Sequence, residues 1–152
     1  MSISRKTART ELLMNEALLL IEEGKRVIVR VKGSSMLPFL RGDKDSVELE
    51  KASEIKCGDI VLAYVEECRF VLHRIIRIDE ERVVLMGDGN LKGCEYCRIE
   101  DIKAKAVNII KPAKGGYKKI SCTDRTHVRK ADLWKKLLPV RRYILAIYKR
   151  IS

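Results

Sequence analysis

Apolar residues at Leu12, Leu13, Ala17, Leu19, Leu20 and Ile21 recur at helical spacing between Glu11 and Glu23, and Gly24 follows where a helix C-cap would stand. This spacing predicts one amphipathic helix packed on a core. From Arg26 to Lys32 the period changes to two. Val27, Val29 and Val31 share one face against Arg26, Ile28, Arg30 and Lys32, which predicts a half-buried strand running directly to Ser35. Short runs rich in Val, Ile, Leu and Tyr follow at 46–51, 60–65, 69–78, 82–86 and 103–110, separated by Gly-Asp or acidic turns. The expected class is mainly β (α+β), an antiparallel domain of five or six strands. Between Pro112 and Thr126 the pattern breaks into a polar, basic stretch containing Gly115-Gly116, read as a linker or ordered loop. Beyond it Trp134, Leu137, Leu138, Ile144, Leu145, Tyr148 and Ile151 return to helical spacing, with Pro139 dividing two helices. The expected organisation is a helix over 1–25, a β domain over 26–111, and a basic linker with an amphipathic helical tail over 112–152.

Charge sharpens this division. The net charge is +11, yet residues 103–152 hold 15 Lys or Arg against Asp124 and Asp132, which leaves the first 102 residues close to neutral. A basic appendage on a neutral body suits an anionic membrane surface, a nucleic acid or an acidic partner. An aliphatic and aromatic stripe bordered by Lys and Arg can lie in a membrane interface, or pack on the β domain or a partner. Few aromatics interleave the charges, which argues against a nucleic-acid module. No run reaches the ~18 apolar residues of a spanning helix, so a cytoplasmic protein is expected, with its tail able to touch the inner face of the membrane. Five cysteines make an odd count and no evident disulfide framework. Cys94 and Cys97 have the spacing of half a zinc site or a redox pair, but a second ligand pair is missing, and no metal or cofactor is expected.

The candidate chemistry sits in Gly33-Ser34-Ser35-Met36-Leu37-Pro38. A nucleophilic serine needs an open hydroxyl, room for substrate and a nearby base. Gly33 supplies room, Pro38 a bend and Met36 an apolar anchor. Alone this stretch reads as a turn. Three further motifs follow: Gly58-Asp59-Ile60-Val61, His73-Arg74-Ile75 and Gly87-Asp88-Gly89-Asn90. In that order, over about residues 26–110, the four motifs resemble the signal peptidase superfamily, which also includes the self-cleaving SOS-repressor peptidases.

The resemblance implies a signal-peptidase-like β domain and a serine endopeptidase with Ser35 as nucleophile. Where bacterial signal peptidases and SOS repressors carry a lysine base, this chain has His73, similar to the archaeal and endoplasmic-reticulum branch. A neutral imidazole can accept a serine proton at cellular pH without the deep burial a lysine base needs. Asp88 is the first choice for the acid that orients it. Glu95, standing where the family has a later aspartate, is the second, and which of them faces His73 stays open at this point. The Ser35 N–H is the expected oxyanion donor. Relatives that add a hydroxyl two residues earlier have here Gly33, which leaves Ser34 as a side-chain alternative. Asp43 and Asp59 match turn positions, and His127, in the basic tail, is expected at the surface. The implied substrates are peptide or preprotein segments, cut after small residues. Alternatives are a non-catalytic peptide-binding member of the same fold, a self-cleaving repressor, and a basic membrane- or nucleic-acid-binding module.

Overall fold

The computed structural model describes residues 2–151, with side chains from Leu12 onward. The first helix, α1 (Ser2–Glu22), is followed by six strands: β1 (Val27–Arg30), β2 (Ser46–Lys51), β3 (Ile60–Val65), β4 (Arg69–Asp79), β5 (Arg82–Met86) and β6 (Glu95–Arg98). The long β7 (Ile102–Ala113) and β8 (Gly116–Ser121) complete the sheet, and α2 (Arg125–Lys136) and α3 (Arg141–Ile151) end the chain. All pairings are antiparallel in the order β1-β2-β7-β3-β4-β5-β6, with β8 hung on β7. This is the mostly antiparallel β fold with flanking helices that the pattern predicts.

The sheet carries apolar clusters on both faces, and β3 shows why its sequence reads as a continuous apolar run. Ile60 and Leu62 point into one cluster with Ile21, Val31, Met36 and Val47. Val61, Ala63 and Val65 point into the other with Val71, Ile75 and Leu85. Successive residues of a strand face opposite ways, so a strand buried on both sides has no polar alternation. By contrast β2, SVELEK, buries Val47 and Leu49 and leaves its other residues partly or fully in water.

Two departures from the sequence expectation have physical causes. The stretch read as a linker after Pro112 is the end of β7, a turn at Gly115-Gly116 and β8. Both glycines have positive φ, +82° and +153°, as a tight connection requires. Every residue of β8 but Ile120 is exposed, so the strand has no apolar period to detect. The second is β6, four residues long, which buries Glu95 and Cys97 instead of aliphatic side chains. Among the described residues no helix is long and apolar enough to cross a membrane.

Between β1 and β2 the chain makes the turn that carries the serine. Its base is clamped by Asp45, fully buried, which accepts hydrogen bonds from the Arg41 N–H (2.8 Å), Arg41 Nη2 (2.9 Å) and Lys111 Nζ of β7 (3.0 Å). The backbone closes the same turn, with Asp43 N–H donating to Val31 C=O and Val31 N–H to Asp45 C=O.

Candidate active site

Ser35 lies in the turn just beyond β1, half-buried, and the next residue, Met36, is sunk in the core. Gly33, with φ +71°, is exposed and turns the chain out of the strand. Pro38 is half-buried and Ser34 is exposed. The motif Gly87-Asp88-Gly89-Asn90 is laid against this segment from β5. Gly89 N–H donates to the Ser35 carbonyl at 2.8 Å, and the Asp88 N–H reaches Met36 Sδ at 3.5 Å. A Cβ on Gly87 would run into the Ser35 carbonyl oxygen, and one on Gly89 into that of Ser34. The two glycines are therefore required by backbone approach, which a side chain at either place would prevent.

His73 is in the middle of β4, buried, and its Nδ1 is 2.9 Å from Glu95 Oε2. The other oxygen of Glu95 accepts from Arg69 Nη2 at 3.1 Å, so the carboxylate is held from both sides. Among the described residues His73 Nε2 has no hydrogen-bond partner, yet it is not among the atoms sealed from solvent. His73 and Ser35 line one cleft of about 290 Å³, with Val29, Arg30 and Val31 on one side and Arg69 to Leu72 on the other. Neither the Ser35 N–H nor its hydroxyl has a hydrogen-bond partner among the described residues.

Asp88, the first choice for the orienting acid, is placed elsewhere. Its two oxygens take Arg74 Nε at 2.9 Å and Arg74 Nη2 at 2.8 Å, a bidentate pair on the far side of β4 from His73. The geometry thus corrects the order of the two carboxylates: Glu95 is the one on His73. The sheet register explains both. Arg74 opposes Met86, two residues before Asp88, so these side chains share a face. Ile75 opposes Leu85, and Leu85 opposes Glu95, so Glu95 lies on the face of Ile75 and of His73 two residues away.

The C-terminal helices complete the Asp88 side. Trp134 Nε1 of α2 donates to the Asp88 carbonyl at 2.7 Å, and Arg141 Nη1 of α3 to the Asn90 carbonyl at 3.0 Å. Arg141 also lies over the Trp134 ring, 5.0 Å from its centroid. The chain of contact runs from α2 and α3 through the Asp88 loop to the Ser35 backbone. Sequence reasoning missed Trp134 and Arg141 as supports of this segment, since nothing local links them to residue 88 or 90.

His127, expected at the surface, is buried. Its ring packs edge-on against Phe39 at 5.6 Å, its Nε2 has no hydrogen-bond partner, and burial followed by the Arg74 cation holds its pKa below the ordinary value. It does not line the Ser35 cleft. A groove of about 640 Å³ runs past His127 between β8 and α2, also away from Ser35. Burial pushes the Cys97 thiol up to about 11 and raises that of Cys94, so the Cys94–Cys97 pair is held as thiols rather than thiolates. Among the described residues no group of His, Cys, Asp or Glu is arranged to hold a metal.

No curated protein matches the chain. The Peptidase S24-like family model matches residues 3–109, a span that holds Ser35, His73, Asp88 and Glu95, and the chain belongs to that family.

Proposed function

We propose that the protein is a serine endopeptidase that uses Ser35 as nucleophile, His73 as general base and Glu95 as the acid that orients the base. The observation that carries this reading is the state of the two nitrogens of His73. Nδ1 is committed to Glu95 at 2.9 Å, while Nε2 is unpaired and open to the cleft that Ser35 also lines. A nitrogen without an internal partner on the wall of that cleft is free to take a proton from a group that shares the cleft.

In the proposed cycle Ser35 Oγ attacks the scissile carbonyl carbon and its proton passes to His73 Nε2. The Ser35 N–H, free of internal partners, donates to the oxyanion. Collapse of the tetrahedral adduct breaks the C–N bond, and His73 returns the proton to the leaving amine. Water then attacks the acyl ester, losing its proton to His73, and the adduct expels Ser35 as the free hydroxyl. Glu95 keeps the proton on Nδ1 throughout, and Arg69 holds Glu95 in place.

An extended peptide suits this cleft. Among the described residues β1 pairs only with β2, which leaves its other backbone edge without a strand beside Ser35, and a substrate strand can add to it. The apolar wall of Val29, Val31, Met36 and Leu62 offers burial for its side chains. The preference for cleavage after small residues rests on the motif resemblance.

The test is digestion of a diverse peptide library read by mass spectrometry, with wild type, Ser35→Ala and His73→Ala in parallel. Cuts made by wild type are expected to vanish in Ser35→Ala and to fall at least about 10³-fold in His73→Ala. Cuts that persist in Ser35→Ala would overturn the assignment. Retention of peptides by an uncleaving wild type would indicate a non-catalytic binding member, of which the family has examples.

A further inference from the structure

The C-terminal helices carry two apolar faces where one is enough to hold them. Trp134 of α2 and Leu145 of α3 are buried against the body. On α3 a second set, Ile144, Ile147 and Ile151, recurs three and four residues apart on the outer side, exposed at 36%, 62% and 81%. Tyr143, also exposed, lies beside them. Leu145 and the buried Arg141 already fasten α3, so the outer isoleucines do not serve its packing.

The surroundings of this stripe are cationic. Residues 124–151 hold nine Lys or Arg against Asp124 and Asp132. Arg150 lies beside Ile147 on α3, Arg142 and Lys149 stand on the side of the helix away from the stripe, and Arg125, Arg129 and Lys136 share the outer side of α2. Apart from Arg141, which turns inward, the basic residues of this segment are exposed.

We propose that α3, assisted by α2, is a docking surface for an anionic lipid bilayer, with Ile144, Ile147 and Ile151 entering the headgroup–acyl boundary and the flanking cations meeting lipid phosphates. The combination selects this occupant. A second copy of the chain would bring two strongly basic surfaces together. A nucleic acid would use the cations but leave the isoleucines in water. An anionic bilayer takes both, apolar residues inward and cations at the headgroups. Since the stripe lies on a helix that is already folded and fastened, docking needs no rearrangement of the body. The proposal stands independently of the peptidase reading.

The test is co-sedimentation of the full chain with vesicles of phosphatidylcholine alone and of equal parts phosphatidylcholine and phosphatidylglycerol. Wild type is expected to pellet with the anionic vesicles at least tenfold more than with the neutral ones, and to come off progressively as salt is raised. Ile144→Ser/Ile147→Ser, both at exposed positions, and Arg129→Glu/Arg150→Glu, likewise exposed, are each expected to reduce pelleting at least tenfold while unfolding as wild type does. Emission from Trp134, the single tryptophan, is expected to be unchanged on vesicles, because it stays buried under α3. Equal partition to both vesicles, or none, would overturn the proposal. Retained binding in the isoleucine variant would reduce the surface to charge alone and overturn it. A wild-type dimer in buffer that the isoleucine variant dissolves would assign the stripe to a second copy instead.

Discussion

His73 and Arg74 are neighbours on β4, both buried and each paired with a carboxylate, yet the pairs are built for different purposes. Every nitrogen of Arg74 is engaged: Nε and Nη2 hold Asp88, Nη1 donates to the Gly58 carbonyl at 2.8 Å, and the guanidinium lies over the Phe39 ring. His73 spends one nitrogen on Glu95 and leaves the other open to the cleft. The Arg74 pair marks a strut, because each of the three nitrogens and both oxygens of the partner carboxylate have an internal contact. A nitrogen left without an internal partner on a cleft wall is free to meet a substrate or to take a proton, which an internally engaged group cannot do. The strand's alternation puts the two functions on opposite faces, one residue apart.

The largest expected effect comes from breaking the strut. Asp88→Asn removes the charge that compensates Arg74 while the cation stays buried, and is expected to lower unfolding stability by about 3 kcal/mol, read by denaturant titration. Arg74→Met/Asp88→Leu, which removes both charges and fills similar volume, is expected to recover most of that loss. If Asp88→Asn unfolds like wild type, Asp88 is not a strut and its place in the catalytic reading reopens.

Glu95→Gln is the complementary case. It is expected to lower kcat on the order of 10²-fold with little effect on KM, because the base loses its fixed tautomer and the imidazolium its counter-charge. Stability is expected to change by less than about 1 kcal/mol, because the freed Arg69 is half exposed and returns to water. A variant that destabilises as Asp88→Asn does, with kcat intact, would exchange the roles of the two pairs.

How far these roles can be read from the sequence depends on how local their cause is. The strands over 46–51, 60–65 and 82–86 match their predicted limits, because Gly-Asp or acidic turns bound them and their apolar residues decide the register. The serine turn and the Gly87-Asp88-Gly89-Asn90 segment are legible as motifs for a physical reason, since both glycines are fixed by contact with the serine backbone. Glu95 and Asp88 could not be ranked without the β4–β5–β6 register, and β6 is too short and polar to announce itself. His127 sits in a largely polar helix. Its burial comes from Phe39, 88 residues earlier, and no period in α2 reports that contact.

Trp134→Phe tests whether the C-terminal helices belong to the strut. The ring packing against Phe39 would survive, but the hydrogen bond to the Asp88 carbonyl would not, and a buried carbonyl would be left without it. The expected cost is about 1–2 kcal/mol of stability, with kcat reduced less than in Glu95→Gln. If stability holds, the hydrogen bond from Trp134 to the Asp88 carbonyl is not part of the strut, and α2 and α3 are held by Arg141, Leu145 and the packing of His127 and residue 134 on Phe39.

The smallest effect concerns a third carboxylate, Asp45, which fastens the serine turn to β7 and resembles Asp88 in having both oxygens engaged. Burial pushes its carboxyl up, but the hydrogen bonds from Arg41 and Lys111 outweigh this and hold it below the ordinary carboxylate range. A carboxylate lowered in the folded state contributes stability that is complete above its unfolded pKa, about 3.9, and is lost as pH falls through the folded value. Asp45 therefore adds no pH dependence between pH 7 and 5, and below about pH 4 it adds a slope of at most about 1.4 kcal/mol per pH unit. Urea titrations at a series of pH values, wild type against Asp45→Asn, should give parallel curves near neutrality and converge in acid. Curves that converge between pH 7 and 5 would assign that titration to another group and leave the clamp on the serine turn without an electrostatic part.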